Sequence, residues 1–376
     1  MTFYVPGNDA PVIEVVLRKF QSALSSGRFS KQIQPASKRP AMRKTFPMTN
    51  GVWARLFILS VSSIGMLPGQ PARAQNPAGS ASATGPCNLA IVSKMSGAHG
   101  RSCDEKTIRE MARHGQVYEQ NQLGIASILA IAPDYSTAEA LKWLERAAQR
   151  GYAPAQVNLA VMYSNGWGTP ANNAKALYWL QLAVDQKYPR AYFDLGVFYL
   201  QGRGVRQDNA KAFELFRKGA ESGDTSAQSN LGYLYDRGLG AAQNAEEAAA
   251  WYRKAADAGD AMGENNLADM YLRGNGVSQD DALAFHLFQQ AAAQGHTAAR
   301  IKLGYMYAEG RGTKKDPETA FMWISAAATA GDPRGDYLLA SLRRQLTANQ
   351  VAEAEERTRN LRFSPEPPVS ARMLLP

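Results

Sequence analysis

Between residues 153 and 332 the apolar and polar positions recur with a period of 36 residues, five times and without an insertion. Leu159, Leu195, Leu231, Leu267 and Leu303 keep this beat, and so do Tyr163, Tyr199, Tyr235, Tyr271 and Tyr307. Within a unit, Ala155, Leu159 and Tyr163 stand at i, i+4 and i+8, one face of an α-helix. The residue after the leucine is small (Ala160, Gly196, Gly232, Ala268, Gly304), which predicts the close approach of another helix backbone. A Gly-x-Gly turn follows, from Gly166/Gly168 to Gly310/Gly312, and its glycines permit positive φ. A second helix is predicted to open at Asn172, Asp208, Asn244, Asp280 and Asp316. Their side-chain oxygens suit an N-cap, and Pro317 suits the first helical position. This helix is expected to bury Ala176, Ala212, Ala248, Ala284 and Ala320 with a bulky position, Trp179, Leu215, Trp251, Leu287 and Trp323. It ends at Gly223, Gly259, Gly295 and Gly331, as Gly151 ends the helix before the array. Lys187 takes the glycine's place once, and that helix is expected to end less sharply. Units that can bury an apolar face only against their neighbours form a solenoid, here an all-α one of helix-turn-helix repeats.

The flanks follow from the same register. Residues 117–152 read as a degenerate repeat in which Leu123, Gly124 and Trp143 keep their places and Ser136 is the cap. Ala130 and Ala132 replace the turn glycines, which predicts a different helix–helix turn. Residues 104–116 read as a capping half-repeat, and residues 333–362 as C-terminal capping helices, the last opening with Thr347 and Gln350 in capping-box spacing. Four prolines in residues 363–376 predict a disordered tail.

The net charge of +9 changes little once it is located. Residues 1–74 hold ten basic and two acidic residues, which leaves 32 basic against 31 acidic in the rest. The body therefore has no general basic character, and no nucleic-acid partner is expected. The basic segment reads as a secretory signal over residues 42–74. Arg43 and Lys44 follow Met42, an apolar run covers residues 56–66, and Ala72-Arg73-Ala74 fits cleavage after Ala74. Eleven residues are too few to span a bilayer, so no transmembrane segment is expected after cleavage. Residues 1–41 fit no part of such a signal and read as an over-long start before the initiator Met42. A periplasmic or secreted location follows. Residues 75–103 read as a linker and N-terminal segment bearing Cys87 and Cys103, an even count that favours a disulfide in an exported chain over two free thiols.

Chemistry is sparse. The sequence contains no Ser-x-x-Lys, the four histidines (His99, His114, His286, His296) show no paired metal spacing, and the Gly-x-Gly elements follow no strand. No catalytic residue, cofactor or metal is therefore assigned. Asp236 and Asp269 can be drawn as a carboxylate pair on successive repeats, but their positions read as solvated helix surface. The periodic tyrosines and tryptophans read as core and not as a sugar-binding platform.

The unit Ala-x-Ala-x-x-x-Leu-Gly-x-x-Tyr-x-x-Gly-x-Gly, followed by a capped Ala-x-x-(Trp/Leu) helix ending Ala-Ala-x-x-Gly, resembles the Sel-like repeat family. That family is a branch of the tetratricopeptide-like α/α solenoids, and the stretch LGVFYLQGRGV from Leu195 carries the likeness most clearly. The resemblance implies a right-handed superhelix whose first helices line the concave face. It also implies a non-enzymatic adaptor with a protein partner, exported and tied to envelope or exopolysaccharide regulation. The places facing that groove hold Arg190, Phe193, Tyr233, Asp236, Asn265, Asp269, Ile301 and Tyr305, with Val197, Leu200, Met262 and Leu272 among them. Val197 and Leu200 can equally pack between repeats, and Met262 can fill a gap. The alternative function is an envelope glycan-binding protein or hydrolase, which requires carboxylates that converge in the groove.

Overall fold

The computed structural model describes residues 87–89, 101–128 and 136–361, with 87–89 and 101–103 described by their backbone alone. The expected start, export signal and cleavage site, the turn at 129–135 and the tail at 363–376 lie outside these residues. The described residues carry fifteen helices. They are α1 (Glu105–Arg113), α2 (Val117–Ile128), α3 (Thr137–Gln149), α4 (Ala153–Asn165), α5 (Asn173–Asp185), α6 (Pro189–Gln201), α7 (Asn209–Glu221) and α8 (Thr225–Arg237). Then come α9 (Ala245–Asp257), α10 (Ala261–Arg273), α11 (Asp281–Ala293), α12 (Thr297–Glu309), α13 (Pro317–Thr329), α14 (Pro333–Leu342) and α15 (Ala348–Asn360). The segment expected to be a linker holds two three-residue strands, β1 (Cys87–Leu89) and β2 (Arg101–Cys103). They pair in parallel, with Cys87 opposite Arg101 and Leu89 opposite Cys103. The side chains of Cys87 and Cys103 lie outside the description, and the expected disulfide with them.

From α1 to α13 each helix packs on the next in the chain, and α14 and α15 both pack on α13, so the array is an all-α solenoid. First helices of successive repeats also meet directly (α2 with α4, α4 with α6, α6 with α8, α8 with α10) and form its inner layer. The second helices are capped by Asn172, Asp208, Asn244, Asp280 and Asp316, each accepting a backbone N–H three residues on at 2.9–3.0 Å. The backbone N–H of each cap in turn reaches the carbonyl of the periodic tyrosine, Tyr163 through Tyr307, at 2.7–3.0 Å. This bond closes the loop between the two helices. The second turn glycine is doubly required. Gly312 has φ +67°, and a Cβ there would overlap the Asp281 carbonyl at the start of the preceding second helix.

The core takes in the expected Leu215, Leu287 and Trp323, but its most deeply buried side chains lie one place on. Trp179 and Trp251 are only half-buried, while the side chains immediately after the bulky position are the deeply buried ones: Leu180, Phe216, Tyr252, Phe288 and Ile324. Phe216, Tyr252 and Ile324 lie over the small residues Gly196, Gly232 and Gly304 of their own first helices, and Leu180 and Phe288 share a core cluster with Ala160 and Ala268. An added Cβ at Gly232 would stand 2.8 and 2.9 Å from the Tyr252 ring and 3.2 Å from the Ala248 carbonyl. The small residue thus makes room for a side chain first and for backbone second. The register explains the offset, because a helix turns 100° per residue and the residue at i+4 from the buried alanine shares its face more closely than i+3.

Lys187 does not blunt its helix. It adopts φ +60°, the left-handed conformation of the glycines at the equivalent ends, and α5 has the same thirteen-residue length as α7 and α9. The side chain carries the strain that glycine avoids. We predict that Lys187→Gly raises stability by about 1 kcal/mol and that Gly232→Ala lowers it by about 1–3 kcal/mol through overpacking against Tyr252. Urea denaturation of the two variants checks both; opposite signs would overturn the reading of these sites.

Candidate partner-binding face

All eight residues expected in the groove lie on the first helices that form the inner layer, but most are not open to a partner. Phe193, Asp236, Asn265, Asp269 and Ile301 are buried, and Arg190, Tyr233 and Tyr305 are half-buried. Ile301 belongs to the core with Phe321, Ile324 and Leu342. Phe193 packs against Phe216, ring centroids 5.7 Å apart, and the Arg190 guanidinium lies 4.7 Å from the Phe193 ring. Asp236 and Asp269 correct the expectation of solvated helix surface. Asp236 is met by Asn275 Nδ2 at 3.4 Å and Arg237 Nε at 3.9 Å, and Asp269 by Lys302 Nζ at 2.5 Å. The two carboxylates have different partners in these contacts, and both add to the rise that burial gives the Tyr252 hydroxyl.

Polar side chains join two pairs of first helices. There the residue at the sixth place reaches the fifth, or the fifth and ninth, place of the first helix before it, whereas Asn230 and Asn266 bond within their own helices. Asn158 Nδ2 donates to Asn121 Oδ1 at 3.0 Å, and Lys302 Nζ donates to Asn265 Oδ1 at 3.2 Å as well as to Asp269. The same offsets from Asp194 arrive at Val157 and Val161, which offer no donor. Neither carboxylate oxygen of Asp194 has a hydrogen bond. Its charge is met only by Arg190 Nε, at 3.5 Å. Burial raises the Asp194 carboxyl to about 6, against the pull of Arg190, and Asp224 adds to the rise. Asp224 is itself raised, chiefly by burial. Lys302, Asp194 and Glu264 escape a reading for motifs. The available signal was their departure from Asn158, Asn230 and Asn266, or from Gln156 and Gln228, at places that otherwise repeat.

Half-buried on these helices, besides Arg190 and Met262, are Val197, Leu200, Tyr233 and Tyr305, of which Val197, Leu200 and Tyr233 pack against the core around Phe193 and Phe216. The Arg237 guanidinium stands 5.7 Å from the Tyr233 ring. Burial raises the Tyr305 hydroxyl above its ordinary range, with Glu309 adding to the rise, so this phenol is a neutral donor at physiological pH. No helix among the described residues is long and apolar enough to cross a membrane, and no metal-binding cluster is present among them.

Six stretches fit the Sel1 repeat: residues 130–152, 153–188, 189–224, 225–260, 261–296 and 297–332. They cover more than half of the sequence, and the chain belongs to the Sel1 repeat family. Proteins of this family are generally protein-interaction scaffolds. Among solved structures, the chain is similar to a Sel1 repeat protein from Oxalobacter formigenes, with 27% identity over 59% of this chain and 92% of that one and a TM-score of 0.54. It is also similar to a protective antigen present in uropathogenic Escherichia coli strains that displays an SLR fold, with 31% identity over 69% of this chain and 64% of that one and a TM-score of 0.38. An immunity protein from Pseudomonas aeruginosa shares 22% identity over 65% of this chain and 86% of that one, with a TM-score of 0.39. No curated protein matches the chain.

The Lys302–Asp269 pair tests whether the inner layer is held by such polar contacts. Lys302→Met leaves the Asp269 carboxylate buried without its cation and should cost about 3–5 kcal/mol. Adding Asp269→Val, the residue type at Val161 and Val197, should recover most of that loss. A thermal melt of wild type, single and double variants makes the comparison, and a double variant no more stable than the single would show that the two residues do not act as a pair.

Proposed function

We propose that this chain is an exported, non-enzymatic scaffold that holds a protein partner on its inner layer along Val197, Leu200, Tyr233 and Tyr305. The observation that carries the proposal is the partial exposure of these aliphatic and aromatic side chains on first helices where Phe193, Asn265, Asp269 and Ile301 are buried. Interfaces draw their binding energy from such aromatic anchors, with arginine beside them. Export is supported by the apolar run at 56–66 and the cleavage pattern at Ala72-Arg73-Ala74, and a role in envelope or exopolysaccharide regulation fits that location. A hydrolase or glycan-binding reading is less favoured, because Asp194, Asp236, Glu264 and Asp269 are all buried.

The test uses the full chain, tagged at its C-terminus and expressed in its native host. Cross-linked captures of wild type and Tyr233→Ala are compared by mass spectrometry, with circular dichroism to confirm equal helix content. A protein captured by wild type and lost in the variant is expected. Identical captures would remove Tyr233 from the binding face. Phe193→Ala is unsuitable for this purpose, since truncating a buried phenylalanine costs about 3–5 kcal/mol in stability.

A further inference from the structure

Four of the first helices begin by holding the end of the second helix before them. At the fourth residue of the helix, Gln120 Nε2 donates to the Ala112 carbonyl at 2.9 Å, Gln156 Nε2 to Ala148 at 3.2 Å, Gln228 Nε2 to Ala220 at 3.3 Å and Arg300 Nε to Ala292 at 3.4 Å. Each of these carbonyls already accepts the N–H of the left-handed glycine that closes its helix, so the side chain takes the second lone pair. In α10 the equivalent residue is Glu264. The carbonyl eight residues back is that of Ala256, which accepts from Gly259 at 2.8 Å in the same way. A carboxylate has no proton to place there; a carboxylic acid has one.

The surroundings of Glu264 favour the acid. The side chain is 4% exposed. One oxygen accepts from Gln294 Nε2, at the end of α11, at 2.8 Å. The elements packed on α10 are α8, α9, α11 and, through Lys302, α12. From α8 comes the uncharged Ser229, which donates to Asp260. From α12, Lys302 is turned to Asn265 and Asp269, Arg300 to the carbonyls of Ala292 and Ala326, and His296 Nδ1 to the N–H of Ala299. The charge that bears on Glu264 is negative, that of Asp260 at the N-cap of its own helix.

We propose that Glu264 makes the joint between α9 and α10 proton-operated: protonated, it donates to the Ala256 carbonyl as glutamine does at the other joints; ionised, it loses that bond, repels Asp260 and loosens the docking of α10 on the end of α9. The proton goes to and comes from solvent, and no other group changes. Burial, with Asp260 adding to it, raises the Glu264 carboxyl from 4.5 to about 7. Between those two values the folded chain keeps a proton that the unfolded chain has released. The joint is therefore tightest at acid pH and weakens as pH rises towards 7.

The experiment is hydrogen exchange by mass spectrometry on the full chain across residues 245–273 at pH 5.5 and pH 8, corrected for intrinsic exchange, in wild type, Glu264→Gln and Asp194→Asn. Wild type should lose protection at the end of α9 and the start of α10 by about tenfold or more, the ratio that one unit of pKa shift carries. Glu264→Gln should hold the acid-pH level at both values. Asp194→Asn, which removes another raised carboxyl two joints away, should keep the wild-type dependence. The proposal is overturned if wild type shows no pH dependence here, or if Glu264→Gln keeps it. Failure of Glu264→Gln to fold would overturn it as well, because glutamine already serves this place in three other helices. In wild type, a carboxyl ¹³C titration of Glu264 with a midpoint in the ordinary glutamate range would also overturn it.

Discussion

One contact, repeated, carries the array: a large second-helix side chain laid over a small first-helix residue. Phe216, Tyr252 and Ile324 lie over Gly196, Gly232 and Gly304, Leu180 and Phe288 share a core cluster with Ala160 and Ala268, and all five large side chains are at most 2% exposed. Interiors are packed as densely as organic crystals, so a residue that lets a ring approach to contact distance sets how near the two helices lie. That spacing in turn places the next repeat, since a unit of two helices has no core of its own to close. The glycine turns and N-caps are consequences of the same demand. They hold each second helix at the angle from which its large side chain can reach the small residue, and the cap N–H to tyrosine carbonyl bond secures the loop between them.

Against this regular frame, the chemistry of the molecule lies in its departures. The apolar contacts are nearly identical from repeat to repeat, so they cannot distinguish one face of the array from another. The inner-layer polar side chains can. The place that holds asparagine in three helices holds Asp194 in one and Lys302 in another, and the place that holds glutamine holds Glu264 in α10. Each substitution puts a charge where burial is nearly complete, and a buried charge is tolerated only with a partner or with its proton. Lys302 has Asp269 and Asn265. Asp194 has Arg190 alone and is raised to about 6. Glu264 has a neutral amide and a like charge, and is raised further. The half-buried Val197, Leu200, Tyr233 and Tyr305 lie on first helices as well, so the surface offered to a partner rests on joints of unequal strength.

Much of this was legible in the residues. The period, the helix pairs, the caps at Asn172 through Asp316, the positive φ of the turn glycines and the capping box at Thr347 and Gln350 are local matters, settled within a few residues by backbone sterics and side-chain hydrogen bonding. The candidate face was legible only as a set of helices. Its residues were assigned by counting places along the repeat, which locates a helix face but not its distance from the next helix. Phe193 and Ile301 were therefore counted as groove residues although neighbouring side chains cover them.

The sequence by itself determined the all-α repeat, its length and its turns, because periodicity and capping act along the chain. The tertiary structure alone decided which of two adjacent residues, Trp251 or Tyr252, enters the core, that Lys187 bears a left-handed backbone without shortening its helix, and that Asp236 and Asp269 are buried. Each of these depends on how closely one repeat lies on the next. That separation is set jointly by side chains some 36 residues apart, and no local pattern records it.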